Sequence, residues 1–168
     1  MAQILDGPGS PAPRLPHAAL PLEPCRGRDD PAVKLLVVDD EPDVGRTMAR
    51  AAEACGCETA LARSAQGFLT LYDRDPPDVV LLDLSLPGGD GIELLRALGA
   101  RRSAALILIC SGVDGRVVDA AVRLGAALGL RMGGALGKPF TVRALADALA
   151  RGAAAADAGD GHALCAGS

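Results

Sequence analysis

The side chains best suited to chemistry are three aspartates, a serine and a lysine: Asp39, Asp40, Asp83, Ser111 and Lys138. Three carboxylates that met at one place would repel one another unless a cation lay among them, and oxygen ligands select a hard cation such as Mg²⁺. A carboxylate can also act as a nucleophile and form an acyl phosphate. A hydroxyl and an ammonium nearby would stabilise the charge of a transferred phosphoryl group. These residue types therefore predict Mg²⁺ binding and phosphoryl chemistry, provided that the fold brings them together.

Short apolar runs, separated by helical patterns, predict that fold. Residues 35–38, 79–82 and 106–109 are continuously apolar, which is typical of strands buried on both faces of a parallel sheet. Weaker strand patterns lie at 58–62 and 130–136. Amphipathic helical patterns alternate with these strands, and this order predicts an α/β fold of the (βα)5 type, in which helices cover both faces of a five-stranded parallel sheet.

The candidate residues sit where these strands end. Asp39 and Asp40 follow the first strand, Asp83 follows the third, Ser111 follows the fourth and Lys138 follows the fifth. Ligands of such sheets bind beyond the carboxyl ends of the strands, so we expect all five side chains at one edge. Taken alone, the paired acids would suit a solvated turn or a helix N-cap, and Asp83 would suit a tight turn. Their joint placement favours a functional site.

Composition divides the chain into one domain with two appended segments. Residues 1–31 hold seven of the twelve prolines and little periodic apolar pattern, so they are predicted to form an extended, disordered leader. Residues 33–150 are predicted to be the folded domain. The last segment, 151–168, is rich in Ala and Gly and is predicted to be a flexible tail.

The net charge and the hydropathy of the chain argue against several classes of partner. The formal net charge of −4 gives no reason to expect nucleic acid binding. No apolar run approaches the ~18 residues of a membrane span and no signal peptide pattern opens the chain, so a cytoplasmic protein without a membrane partner is expected. The five cysteines are scattered and include no CxxC pair, which argues against a disulfide framework or a structural zinc site.

Four separated motifs, in the right order, resemble the receiver domain of two-component response regulators, the flavodoxin-like family of the chemotaxis receiver. They are LLVVDDEP at Leu35–Pro42, DVVLLDLSLPGGDGIELL at Asp78–Leu95, Ser111-Gly112, and Lys138-Pro139-Phe140. The resemblance implies a doubly wound sheet of strand order 2-1-3-4-5.

The resemblance also implies a role for each site residue. Asp83 would be the phosphorylation site. Mg²⁺ would be held by the acid pair Asp39 and Asp40, by Asp83 and by the backbone carbonyl of Ser85, with Asp40 and Asp83 as direct ligands. Ser111 would hydrogen-bond a phosphoryl oxygen, and Lys138 would pair with the phosphoryl group or with Asp83.

The function so implied is that of a phosphorylation-controlled switch in a phosphorelay. A histidine kinase or a phosphotransfer protein would donate the phosphoryl group, and an unidentified downstream effector would read the result. The protein would not be an enzyme beyond its own phosphotransfer and modest self-dephosphorylation. A homodimer through the face of the fourth helix, fifth strand and fifth helix is a further expectation.

Two departures from the family pattern keep other readings open. Ser111 and Lys138 are 27 residues apart, about one helical turn more than is common, and Ala135 replaces the aromatic that usually precedes the lysine by three residues. Without that ring, a phosphorylation-independent interaction module is an alternative. The sequence of residues 124–140 also resembles receivers that precede EAL-type domains. A second alternative is therefore an N-terminal fragment of a cyclic-di-GMP phosphodiesterase regulator.

A haloacid-dehalogenase-like phosphatase is the enzyme alternative. Phosphatases of this class need a second Asp two residues after the nucleophile, where this chain has Ser85.

Overall fold

The computed structural model describes residues 32–112 and 114–159, and within them five strands alternate with five helices. The elements, in chain order, are β1 (Lys34–Val38), α1 (Pro42–Ala54), β2 (Glu58–Ala62), α2 (Ala65–Arg74), β3 (Val79–Asp83), α3 (Asp90–Ala100), β4 (Leu106–Ser111), α4 (Gly115–Ala127), β5 (Arg131–Gly137) and α5 (Val142–Gly159). A short 3₁₀ turn, Pro87–Gly89, precedes α3.

All the strand pairs are parallel and the strand order is β2-β1-β3-β4-β5, which confirms the predicted topology. The three continuous apolar runs form the three central strands. Every residue of β3 and β4 is buried. These strands carry apolar side chains on both faces because helices cover both faces of the sheet.

Each face of the sheet has its own apolar core. On one face, α2, α3 and α4 pack over a cluster that contains Phe68, Leu95 and Ile109. On the other, α1 and α5 pack over a cluster that contains Met48, Leu108 and Leu145. Burial in these two clusters is the main stabilising contribution that fixes the strand ends in place.

The ends of the helices follow from local side-chain chemistry. The Ser64 hydroxyl accepts a hydrogen bond from the Gly67 N–H at the start of α2, and the Asp114 carboxylate accepts one from the Arg116 N–H at the start of α4. Both satisfy donors that a helix leaves unpaired at its first turn.

The fifth helix extends beyond the predicted end of the domain at position 150. It continues to Gly159, nine residues beyond position 150, because alanine-rich sequence has a high intrinsic helix propensity even without an apolar face. The predicted leader, 1–31, and residues 160–168 of the predicted tail lie outside the described residues. None of the helices in the described part of the chain is long and apolar enough to cross a membrane.

Candidate functional site

Three carboxylates meet at the carboxyl edge of the sheet. Asp39 and Asp40 directly follow β1, and Asp83 is the last residue of the neighbouring strand β3. One oxygen from each carboxylate can be chosen so that all three lie within 4.8 Å of one another. Asp39 and Asp83 are buried, at 0% and 1% exposure, while Asp40 is more open to solvent. The fold therefore brings together the three acids that the sequence singled out.

Backbone donors orient the two buried carboxylates. The Glu41 N–H donates to Asp39 Oδ1 at 2.9 Å, and the Ser85 N–H donates to Asp83 Oδ1 at 2.8 Å. Each hydrogen bond arises because the chain turns sharply two residues after the aspartate, in the manner of an Asx turn. In both side chains Oδ1 is held by the local turn, which leaves Oδ2 to face the middle of the site.

The ammonium of Lys138 lies between these two Oδ2 atoms. Lys138 directly follows β5, and its Nζ donates to Asp39 Oδ2 and lies 2.9 Å from Asp83 Oδ2. Its side chain is 17% exposed. The peptide bond between Lys138 and Pro139 is cis.

The pKa of Lys138 is raised above its ordinary value by this arrangement. Burial is the largest single influence and acts to lower the pKa of the ammonium. The hydrogen bonds to Asp39 and Asp83, together with the charges of both carboxylates, outweigh it. Lys138 is therefore a fixed positive charge that partly neutralises the acids around it.

Ser111 is the last residue of β4 and lies next to Lys138. It is 6% exposed, it pairs with Gly137 in the sheet, and its carbonyl accepts a hydrogen bond from the Lys138 N–H at 3.2 Å. The backbones that carry the serine and the lysine are thus bonded to each other at the same edge. Ser85, by contrast, has an exposed side chain on the loop after β3.

Gly91 is a site-supporting residue that sequence reasoning did not single out. A Cβ added at Gly91 would lie 2.8 Å from Leu84 Cα and 2.9 Å from the Asp83 carbonyl oxygen. Only glycine lets the first turn of α3 press this closely against the loop that carries Asp83. A glycine on the apolar face of a predicted helix was the available signal.

The donor set suits a hard divalent cation. Three carboxylates, two of them buried, offer only oxygen ligands, and the neighbouring cation Lys138 offsets part of their charge. Mg²⁺ binds through one or two carboxylates while keeping several waters. Asp40 is the carboxylate of the three that is most accessible to such waters.

Ala135 stands three residues before Lys138, where the family usually carries an aromatic. Ala135 lies on the outer strand β5, where it is exposed and pairs with Ile109 of β4.

Cys110, the residue after Ile109 in β4, is fully buried, and burial raises the pKa of its thiol to about 12. Cys110 is therefore a packing residue of the core.

A doubly wound sheet of order 2-1-3-4-5, with an acid cluster and a lysine at its carboxyl edge, defines the receiver class of signalling domain. A family model described as the response regulator receiver domain matches residues 35–150. The chain belongs to this family of domains, which are components of two-component systems.

Curated relatives match over part of their length. The DNA-binding response regulator MtrA of Mycolicibacterium smegmatis is 33% identical over 81 residues, which cover 48% of this chain and 36% of MtrA. The acid tolerance regulatory protein ActR of Rhizobium meliloti is 34% identical over 98 residues, covering 57% of this chain and 50% of ActR. The matches thus span about a third to a half of these relatives.

Solved structures show the same fold. A response regulator from Colwellia psychrerythraea superposes with a TM-score of 0.64 at 26% identity, covering 74% of this chain and 99% of that one. NtrX from Brucella abortus, solved in complex with ATP, gives a TM-score of 0.66 at 26% identity, covering 82% of this chain and 31% of NtrX.

Proposed function

We propose that the domain is a phosphoacceptor in which Asp83 takes a phosphoryl group from a histidine kinase or a phosphotransfer protein. The observation that carries this proposal is the placement of Asp83: its Oδ1 is held by the Ser85 N–H, while its Oδ2 faces Lys138 and lies in the acid cluster. A buried carboxylate oriented in this way is a prepared nucleophile. The phosphorylated domain would then signal to a downstream partner in the cytoplasm.

The transfer exchanges one bond to phosphorus for another. A carboxylate oxygen of Asp83 bonds to phosphorus, and the bond between phosphorus and the donor imidazole nitrogen breaks. The electron pair of that bond stays on the imidazole, which takes up a proton from solvent. Hydrolysis by water later returns Asp83 and inorganic phosphate, so the domain would need no further group to reset itself.

Lys138 and Ser111 would stabilise the charge that arrives with the phosphoryl group. Once Asp83 carries an acyl phosphate it no longer presents a full carboxylate, and the ammonium can pair with the phosphoryl oxygens instead. The Ser111 hydroxyl, at the end of the adjacent strand, is the nearby neutral donor. Both groups favour the phosphorylated state.

Mg²⁺ would be held by Asp40 and Asp83, with the Ser85 carbonyl as a third ligand and Asp39 in the supporting acid pair. When bound, it would supply positive charge that lowers the repulsion between an incoming phosphoryl group and the acids. Asp39 would act chiefly by holding Lys138, because its Oδ2 accepts from the lysine and its Oδ1 is occupied by the Glu41 N–H.

Phosphoryl incorporation from acetyl phosphate in the presence of Mg²⁺ tests the proposal. Wild-type protein should gain one phosphoryl mass by intact mass spectrometry, and Asp83→Asn should gain none. Asp119→Asn, which removes an exposed carboxylate from α4, is the matched control and should be labelled like wild type. Equal labelling of Asp83→Asn and wild type would refute the assignment.

A phosphorylation-independent interaction module is the second candidate, favoured by the exposed Ala135 in place of an aromatic switch. In either case the surface formed by α4, β5 and α5 is the proposed interface for an effector or a second copy. Binding of a captured partner would be equal for wild type and Asp83→Asn if the module were independent of phosphorylation.

A further inference from the structure

The outer strand β5 contains an irregularity that lies between the α4 surface and the phosphoacceptor site. Ile107 of β4 pairs with Met132, but the next residue, Leu108, pairs with Gly134. Gly133 is therefore an extra residue, accommodated as a β-bulge. Beyond the bulge the pairing is regular up to Ser111 and Gly137.

The bulge changes which face of the sheet the following side chains occupy. Met132 packs with the α4-side cluster, where its side chain lies over Gly125, whereas Leu136 belongs to the cluster on the α1 and α5 side. Residues four apart on a regular strand point to the same face, because side chains alternate with a period of two. One extra residue between Met132 and Leu136 is what allows each to reach its own core.

Glycine suits both residues of the bulge. A Cβ on Gly133 would lie 2.6 Å from Leu108 Cδ2 and 3.0 Å from Leu106 Cδ1. Gly134 has a φ of +95°, a backbone conformation that residues with a side chain rarely adopt. A residue with a Cβ at position 134 would therefore strain the backbone of the bulge.

The regular part of β5 after the bulge is what carries Lys138. Gly137 is paired with Ser111, and the Lys138 N–H donates to the Ser111 carbonyl at 3.2 Å. The lysine therefore enters the site at a fixed register relative to β4, and β4 pairs Cys110 with Asp83 on β3. A slip of one residue in β5 would turn the following side chains to the opposite face of the sheet.

We propose that the Gly133–Gly134 bulge accommodates one extra residue in β5, and that its two glycines thereby preserve the register that places the Lys138 ammonium between Asp39 and Asp83. This inference rests on the proposed function for its consequence, which is that loss of this register slows phosphoryl transfer at Asp83. Its geometric part, the placement of Lys138, can be tested without any transfer.

Three variants separate this role from general stability. Gly134→Ala removes the freedom to adopt a positive φ within the bulge. Gly129→Ala is the matched control, because Gly129 also has a positive φ, of +76°, with nothing within 4 Å of an added Cβ, but lies in the turn before β5. Deletion of Gly133 combined with Gly134→Ala removes the extra residue, so that the alanine falls in a regular strand.

The measurements are the phosphorylation rate with acetyl phosphate and Mg²⁺, and the NMR signals of the Lys138 side-chain ammonium. Gly134→Ala should slow phosphorylation by roughly tenfold or more, because small misplacements of a charged group cost large factors in rate. It should also shift or lose the Lys138 ammonium signal. Gly129→Ala should keep the signal and the rate, and the combined deletion variant should recover both.

Equal effects of Gly134→Ala and Gly129→Ala would overturn the proposal, since both would then act through stability. If Gly134→Ala does not fold, the combined deletion variant decides: a wild-type Lys138 signal supports the proposal, and a lost signal refutes it. Absence of phosphorylation in the wild-type protein would instead overturn the proposed function. The ammonium signals of the variants would still decide whether the bulge positions Lys138.

Discussion

Lys138 donates a side-chain hydrogen bond to Asp39, a residue 99 positions earlier in the chain. The same ammonium lies 2.9 Å from Asp83. One cation thus joins the ends of β1, β3 and β5, and the two carboxylates it touches are almost completely inaccessible to solvent. The charge balance of the site depends on this contact.

Removal of the lysine should destabilise the domain. Lys138→Met leaves two buried carboxylates without their cation, a change that costs about 3 kcal/mol in buried ion pairs. Urea unfolding should show this loss, and added Mg²⁺ should recover part of it by replacing the missing positive charge. Lys34→Met, which breaks an exposed pair with Asp75, should change stability little. Equal effects of the two variants would contradict the assigned role of Lys138.

The two adjacent aspartates should have separable effects. Asp40→Ala should weaken Mg²⁺ binding more than Asp39→Ala, because Asp40 is the proposed direct ligand and the more open of the pair. Asp39→Ala should lower the free energy of unfolding more, because Asp39 is buried and bonded to Lys138 and to the Glu41 N–H. Mg²⁺ titrations and urea melts of both variants check this. Wild-type Mg²⁺ affinity in Asp40→Ala would refute it.

Cys110 should be unreactive in the folded protein. Burial raises the pKa of its thiol from 9.0 to about 12, so at pH 8 only about one molecule in ten thousand carries the thiolate that reacts. Iodoacetamide should modify Cys110 only after unfolding in guanidinium, while the less buried Cys55 is the internal comparison. Native labelling of Cys110 as fast as that of Cys55 would disprove this.

The same raised pKa has a consequence for stability at alkaline pH. A thiol that ionises at pH 9.0 when unfolded and near 12 when folded contributes its full stability below pH 9, and this contribution is lost as pH rises towards 12. Cys110→Ala should therefore lose less stability than wild type between these two pH values.

Phosphorylation should reorganise the α4, β5 and α5 surface less than in receivers that carry the aromatic switch. The methyl group of Ala135 leaves unavailable roughly 1.5–3 kcal/mol of side-chain burial that could favour one of two states. Amide chemical shifts with and without a beryllofluoride mimic should change mainly around Asp83, Ser111 and Lys138. Equally large changes across residues 116–150 would show that another switch operates.

Much of the fold could be predicted from local sequence. The runs at 35–38, 79–82 and 106–109 predicted the central strands, because a strand covered on both faces needs apolar residues at successive positions. The weaker edge strand, predicted at 130–136, lies at Arg131–Gly137. Its sequence, RMGGALG, shows no regular alternation of apolar and polar residues, because the bulge interrupts the strand. The end of α5 was also missed, because alanine-rich sequence extends the helix to Gly159 without an apolar face.

The sequence by itself determined the residue types of the site and the strand ends that carry them, because strands of this kind and the acids that follow them are encoded by neighbouring residues. Tertiary structure alone decided that Lys138 binds Asp39 as well as Asp83. It also decided that α3 packs closely against the Asp83 loop at Gly91, and that Gly133 forms a β-bulge. Those outcomes depend on the register between strands and on which core each side chain reaches. Both are set by packing between segments far apart in the chain, and no local pattern records them.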